Sequence, residues 1–279
     1  MEIFIPTKNR STTISTHKLF PTAHVLVHDN GQYDQYVKNA GVLPIVTYTQ
    51  RDVYGLTRQR EWAMKQTKQG DWVLFADDNI HELWAIPFPH YDDEELTEIT
   101  DAMGTPGLAA TVNKYRPKDG RVMEPAKFLS YVVPECIKKA EEVGAHMVGF
   151  SVTDNPLFRA KKWGTTSYVS GKMFLMQNTG MPWDHTITME DFRNSAWHLR
   201  EYGRVVINRY IHPRATHYQP GGMGTREERV PYRLKDIDKL MKQFPDLFRL
   251  KKGEYPDLSI RIHGEKAIDK WRAGLRSST

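Results

Sequence analysis

The sequence predicts an α/β fold, a mixed and mainly parallel sheet with flanking helices. Three observations predict it. Short apolar runs alternate four times with helix-length stretches in the first third of the chain, the pattern of parallel strands joined by crossover helices. The run Trp72-Val73-Leu74-Phe75 is continuous rather than alternating, as a strand buried on both faces is. It leads into Asp77-Asp78-Asn79, and open α/β sheets bind ligands in the crevice beyond their strand ends.

Ile3-Phe4-Ile5 is the first strand, closed by Pro6, and Thr7-Lys8-Asn9-Arg10-Ser11 is a polar loop at its end. Ser11 to Phe20 reads as a short helix. His24 to His28 is a second strand, stopped by Asp29-Asn30-Gly31. Gln32 to Ala40 is helical, with Gly41 as its cap. Pro44 to Thr47 is a third strand. Leu56 to Thr67 is a helix with Trp62, Ala63 and Met64 as its apolar residues and Arg58 and Arg60 near its start.

Beyond the Trp72–Phe75 strand, Asp92–Met103 reads as an acidic helix, Leu108–Val112 as a strand and Asn113–Pro125 as a polar loop. Pro134 to Val143 is helical, ended by Gly144. Met147 to Ser151 is a strand, Asn155–Thr166 is irregular and basic, and Met173–Met176 is apolar. Thr188, with Asp191 three residues later, predicts a capped helix running to about Tyr202. Val205-Val206-Ile207 is a last strand, leading to His212, His217 and the Gly221-Gly222-Met223-Gly224 loop. The segment from Pro231 is helical in part, amphipathic and basic.

The 279 residues suit one large domain, or one domain with an appendage. No apolar run is long enough to span a bilayer, so no membrane partner is expected. The N-terminus has no signal-peptide pattern, and Cys136 is the only cysteine. A reducing cytoplasm is the expected compartment. The net charge of +5 lies at the C-terminal end, where residues from Pro231 carry 12 Lys and Arg against 7 Asp and Glu. Such an excess suits either a polyanionic partner or a merely soluble surface. No G-x-G-x-x-G or P-loop pattern follows the first strand, which argues against a dinucleotide oxidoreductase or an NTPase.

Two acids at one strand end disfavour each other's ionisation. A divalent cation with hard oxygen ligands, Mg²⁺ or Mn²⁺, resolves that conflict at Asp77 and Asp78. The alternative is a solvated turn in which the acids are caps. Glu190 and Asp191 open a helix, where they either complement its dipole or present a carboxylate base to a cleft.

The order of these parts resembles the GT-A type glycosyltransferases, a Rossmann-like family, over roughly Met1 to Gly224. Within that type the chain is most similar to the TET-associated glycosyltransferases of bacteriophages, which modify hydroxymethylated pyrimidines in DNA. The resemblance implies a catalytic domain over 1–224 and a basic helical extension, 225–279, packed on it. It implies a nucleotide-sugar donor, a UDP-sugar first among them, lying across the first half of the sheet. Asp77-Asp78-Asn79 stands where the family has Asp-x-Asp, which leaves open whether Asp78 or Asn79 faces the metal. His217 would be a further ligand.

By the same resemblance, Thr7, Lys8 and Arg10 would meet the base and ribose, and Asp77 and Gly222 would also contact the donor. Arg58 or Arg60 would pair with the diphosphate, since guanidinium forks match phosphate oxygens. Asp191 or Glu190 would be the base of an inverting transfer. Asp191 is preferred, because the family tends to place its base second in the acidic pair. If neither carboxylate reaches the acceptor, a retaining mechanism follows. The implied acceptor is a 5-hydroxymethylpyrimidine in DNA. Arg249, Lys251, Lys252, Arg261, Lys270 and Arg272 are the first phosphate contacts to consider, with the Asn113–Lys127 loop and the Arg159–Lys162 patch as others. A GT-A enzyme with a small-molecule or protein acceptor, a nucleotidyltransferase, and a DNA-binding protein without chemistry are the competing readings. The sugar, the base and the oligomeric state stay open.

Overall fold

The computed structural model describes residues 1–47, 56–86, 120–153, 162–184, 188–216 and 224–276. The expected helix at Asp92–Met103 and strand at Leu108–Val112 lie outside them, as do residues 113–119, residues 155–161, His217 and Gly222.

The first half alternates strand and helix: β1 (Glu2–Pro6), α1 (Thr16–Leu19), β2 (His24–Val27), α2 (Asn30–Ala40), β3 (Ile45–Val46), α3 (Leu56–Lys65) and β4 (Trp72–Ala76). Next come β5 (Ile80–Ala85), β6 (Arg121–Val122) and α4 (Pro125–Lys127), which continues through a π-helical turn (Phe128–Val132) into α5 (Val133–Val143). The body is completed by β7 (Met147–Phe150), β8 (Trp163–Gly164), β9 (Met173–Gln177), α6 (Glu190–Tyr202), β10 (Val206–Asn208) and β11 (Ile211–Ala215). The C-terminal segment holds α7 (Arg226–Gln243), β12 (Phe248–Leu250), β13 (Leu258–Ile260) and α8 (Glu265–Arg276).

Eight strands form one mixed, mainly parallel sheet in the order β3-β2-β1-β4-β9-β7-β10-β8. Strands β3, β2, β1 and β4 pair in parallel, and β10 lies parallel to β7. β9 runs antiparallel between β4 and β7, and β8 closes the edge antiparallel to β10. The order steps outward from β1 to β3, then returns to the other side of β1 for β4. The loops after β1 and β4 therefore flank a topological switch point, where such sheets bind ligands.

β4 is buried at all five residues, as its unbroken apolar run predicts. Val73 and Phe75 belong to one apolar cluster with Ala63 and Met64 of α3 and Phe192 and Ala196 of α6. Trp72, Leu74 and Ala76 belong to another with Cys136 and Ala140 of α5. Gly41 and Gly144 end α2 and α5 in the left-handed conformation, at φ 66° and 67°, which costs glycine nothing.

Three local expectations change. The helix expected over Ser11–Phe20 shrinks to α1, because its residues bond to the turn after β4 instead of to one another. Ser15 N donates to Asp78 O at 2.9 Å, and Thr16 Oγ1 donates to Asp77 O at 2.5 Å. Strand β5 had no signal, since His81 and Glu82 interrupt its apolar run; it forms a separate three-stranded sheet, antiparallel to both β6 and the distant β11. The capping box expected from Thr188 and Asp191 does not form. α6 starts at Glu190 with Met189 as an N-cap lacking a side-chain bond, and the Thr188 hydroxyl donates to Asp236 Oδ2 instead.

The C-terminal segment is not wholly helical, since β12 and β13 form a hairpin. Ile237, Leu240, Phe244, Phe248, Ile268 and Trp271 share one apolar cluster with the buried side of α6. Among the described residues, no helix is long and apolar enough to cross a membrane.

Candidate active site

The loop after β1 and the turn after β4 are joined through Asp78. Thr7 Oγ1 donates to Asp78 Oδ2 at 2.6 Å, and Arg10 Nη1 donates to Asp78 Oδ1 at 2.5 Å. Tyr36, on the inner face of α2, extends this chain. Its hydroxyl accepts from Arg10 N at 3.0 Å and lies 2.5 Å from Thr7 Oγ1. Since Thr7 gives its own proton to Asp78, the Tyr36 hydroxyl donates to Thr7. Burial raises the Asp78 carboxyl, while Arg10 and Thr7 favour its ionised form. Burial also pushes the Tyr36 phenol up to about 12.

A second junction forms at Arg60 on α3, whose side chain is 1% exposed. Its Nη2 donates to Asp77 Oδ1 at 3.1 Å and to Gly171 O at 2.8 Å, and its Nη1 donates to Glu190 Oε2 at 3.1 Å. The guanidinium lies 4.9 Å from the Phe174 ring centroid and 5.7 Å from that of Phe75. Arg60 is thus a buried tie between two acids. A role at a diphosphate would require it to leave both, which puts Arg58 ahead of it for that role. Among the described residues Arg58 pairs with no acid, and its buried Nε has no partner.

Crowding by protein raises the Asp77 carboxyl to about 7, against the pull of Arg60. The Asp77 side chain is 37% exposed, so solvent offsets part of that crowding. Lys172 also faces Asp77; burial lowers its ammonium, and Asp77 raises it. Glu190 is 4% exposed and accepts from Asn194 Nδ2 at 3.2 Å. Its burial raises the carboxyl, and Arg60 pulls it down.

Asp191 sits at the same helix start and is more open than Glu190. Its Oδ2 accepts from the Tyr168 hydroxyl and from Gly171 N, the latter at 3.2 Å, and its Oδ1 accepts from Phe192 N at 3.0 Å. A Cβ on Gly171 would come within 3.3 Å of Asp191 Cβ, so glycine permits this close approach. Asp77, Glu190 and Asp191 thus converge beside the switch point, held by Arg60 and the Gly171 backbone.

A hard divalent cation needs oxygen atoms with lone pairs to offer. Asp78 has both oxygens engaged, so ligation there would break buried bonds. Asp77 gives only Oδ1 to Arg60. The Asn79 amide is oriented by its Nδ2 bond to Thr216 O at 2.8 Å, and among the described residues its buried Oδ1 has no partner. The available oxygens are therefore those of Asp77 and Asn79. Among the described residues no three His, Cys, Asp or Glu side chains gather as a metal cluster, and His217 and Gly222 are outside those residues.

Of the other anticipated residues, Thr7 and Arg10 are buried in the Asp78 network, and Lys8 stays half-buried beside them. His212 sits on β11 with Nδ1 2.9 Å from Ser151 O. Several of the C-terminal cations have internal partners. Lys251 pairs with Asp257 at 2.7 Å, Arg261 with Asp246 at 3.5 Å, and Arg272 Nε donates to Arg200 O at 2.8 Å. Arg249 bonds Ser259 at 3.0 Å, while Lys252 and Lys270 are exposed.

Sequence reasoning missed Tyr36, Tyr168, Gly171, Lys172 and Asn194. Tyr36 had a usable signal, since it lies four residues after Gln32 on the buried face of α2. The Ser170-Gly171 pair marks a turn ahead of β9, but nothing local ties it to Asp191.

No family model and no curated protein matches the chain. Among solved structures, it is similar to the crystal structure of S. aureus TarS 1-349, with a TM-score of 0.37 and 12% sequence identity. The match covers 86% of this chain and 66% of that one. A likeness at that level says nothing about substrate or reaction.

Proposed function

We propose that the chain is a nucleotide-sugar-dependent glycosyltransferase of the GT-A type. The observation that carries this reading is the meeting of three segments at one switch point: the Thr7–Arg10 loop after β1, the Asp77-Asp78-Asn79 turn after β4, and the Glu190-Asp191 start of α6. Each was singled out in the sequence separately.

The donor's nucleoside would lie against the loop after β1, with Lys8 at its open side. Arg58 would meet the diphosphate, because among the described residues its guanidinium pairs with no acid. Asp77 and Asn79 would hold Mn²⁺ or Mg²⁺, with His217 as a further ligand; bound there, the ion would offset the charge of the departing diphosphate. Asp191 would take the proton of the acceptor hydroxyl as its oxygen bonds the anomeric carbon and the bond to the diphosphate breaks. Tyr168 and the Gly171 amide would fix the direction of that carboxylate. Such a displacement inverts the anomeric centre.

The acceptor rests on the family resemblance alone: a 5-hydroxymethylpyrimidine in DNA, whose hydroxymethyl group projects into the major groove. Lys252, Lys270 and Arg249 are the C-terminal cations considered first for phosphate, because no acid among the described residues holds them.

The test is release of nucleoside diphosphate across a panel of nucleotide sugars. Hydroxymethylated DNA, unmodified DNA and small alcohols serve as acceptors, with and without EDTA. Turnover with one donor supports the reading, and none across the panel retires it. Full activity in EDTA retires the metal, and transfer to small alcohols alone retires DNA.

A further inference from the structure

We infer that helix α7, in the C-terminal segment, is part of the active site, with Asp236 and Lys239 as positioning residues for Glu190 and Asp191. The inference rests on the reading that Asp191 serves the reaction, with Glu190 holding Arg60 beside it.

Asp236 is 4% exposed. Its Oδ2 accepts from Thr188 N at 2.7 Å and from Thr188 Oγ1 at 2.8 Å. Lys239, three residues on and therefore on the same face of α7, pairs with Asp184. Asp184 and Thr188 both precede α6, so one face of α7 grips its lead-in segment at two points. The second grip lies two residues ahead of Glu190.

That grip replaces a missing one. α6 has no side-chain N-cap of its own, and such a cap commonly fixes a helix start. Its first turn is instead set from outside, by Asp236 on Thr188 and by Arg60 on Glu190, while Arg193 of α6 reaches back to Pro182 O. Burying a carboxylate is costly unless donors satisfy it. A helix face that only filled the core would carry an apolar residue here, as its neighbours Ile237 and Leu240 do. The same segment also supports the residue after Asp191. Phe192 packs edge-on against Phe248 of β12, at 6.0 Å between centroids, and stacks on Tyr168 at 4.3 Å. Tyr168 is the phenol that bonds Asp191.

The test compares Asp236→Ala, Asp236→Asn and Thr188→Val in the full chain. It uses kcat and KM for the donor, with amide hydrogen exchange as an independent arm. Asp236→Ala is expected to lower kcat by about 10²-fold, the scale of a ~1 Å misplacement, while donor KM stays within about twofold. Asp236→Asn, which keeps an acceptor oxygen, should restore most of kcat. Exchange should quicken at the amides of Glu190 to Asn194 and stay unchanged in β1 and α2. If Asp236→Ala does not fold, Thr188→Val, which leaves the backbone bond in place, should show the same changes in smaller degree. Unchanged kcat and exchange in the folded variants would overturn the inference. So would a loss of kcat matched by loss of donor binding, with faster exchange throughout the sheet. A wild-type chain inactive with every nucleotide sugar would retire the glycosyltransferase reading instead, and the exchange arm would still decide whether α7 fixes the start of α6.

Discussion

Arg60 donates to Glu190 at 3.1 Å across 130 residues of sequence. Because the same guanidinium also holds Asp77, α3 in the first half of the chain and α6 in the second are registered against each other at the strand ends. A buried cation between two acids is more than a stability device, since it favours the ionised form of both carboxyls.

Arg60→Met should therefore destabilise the fold by about 3–5 kcal/mol, the cost of leaving a buried charge without its partner. Arg60→Lys keeps the charge but loses the fork that serves Asp77 and Glu190 together. It should fold with a smaller loss and still lower turnover. Denaturant unfolding and steady-state rates of the two variants check this. Equal stability of Arg60→Met and wild type would remove the tie from the account.

Asp78 is expected to be a stability residue first. Asp78→Ala strands the buried Arg10 guanidinium and the Thr7 hydroxyl, which again predicts a loss of about 3–5 kcal/mol. Asp77→Ala, at a more open site, should cost less stability and more activity. Thermal unfolding compared with donor turnover separates the two. A stable but inactive Asp78→Ala protein would return Asp78 to the metal.

The pH dependence follows from Asp77. Its carboxyl is raised to about 7, so the proton leaves only as pH rises through that value. The groups facing it are Arg60 from α3, Arg10 from the loop after β1, the adjacent Asp78, Asp191 from α6 and Lys172 ahead of β9. Binding of a divalent cation needs the carboxylate, so its affinity should fall as pH drops through about 7. Arg60→Met should move that fall to higher pH, since Arg60 pulls the carboxyl down. For stability the sign is opposite. A raised carboxyl contributes most below the ordinary carboxylate range, and that contribution is lost as pH rises through about 7. Cation affinity flat from pH 6 to 8 would contradict the assignment.

Asp191→Asn should lower turnover by about 10²–10⁴-fold, the usual worth of general-base help, while donor binding persists. Glu190→Gln should act differently, through Arg60 and stability. Normal rates in both variants would leave the proton with another group.

Much of this arrangement was legible in the sequence because it depends on local pattern. The continuous run of β4, the acids at its end and the glycines closing α2 and α5 each follow from their own neighbours. What was not legible depends on pairing over long distances. β5 carries His81 and Glu82 near its start and exists through pairing with β11 and β6. Arg60 was expected, with Arg58, at the diphosphate from its place near a helix start, and only the approach of α6 and β9 buries it between two acids. The Thr188–Asp191 spacing gave a capping signal that Asp236 overrode from α7. Local propensity yields in such places to a tertiary partner that the sequence does not announce.

The most direct measurement is a calorimetric titration of the chain with UDP and other nucleoside diphosphates in the presence of Mn²⁺. The account predicts saturable binding of one of them, weakened at least about tenfold by Arg58→Ala through loss of its charge-assisted contact to phosphate. It also predicts binding that persists in Asp191→Asn. The absence of binding by every nucleoside diphosphate tested, in a chain shown to be folded, would contradict it.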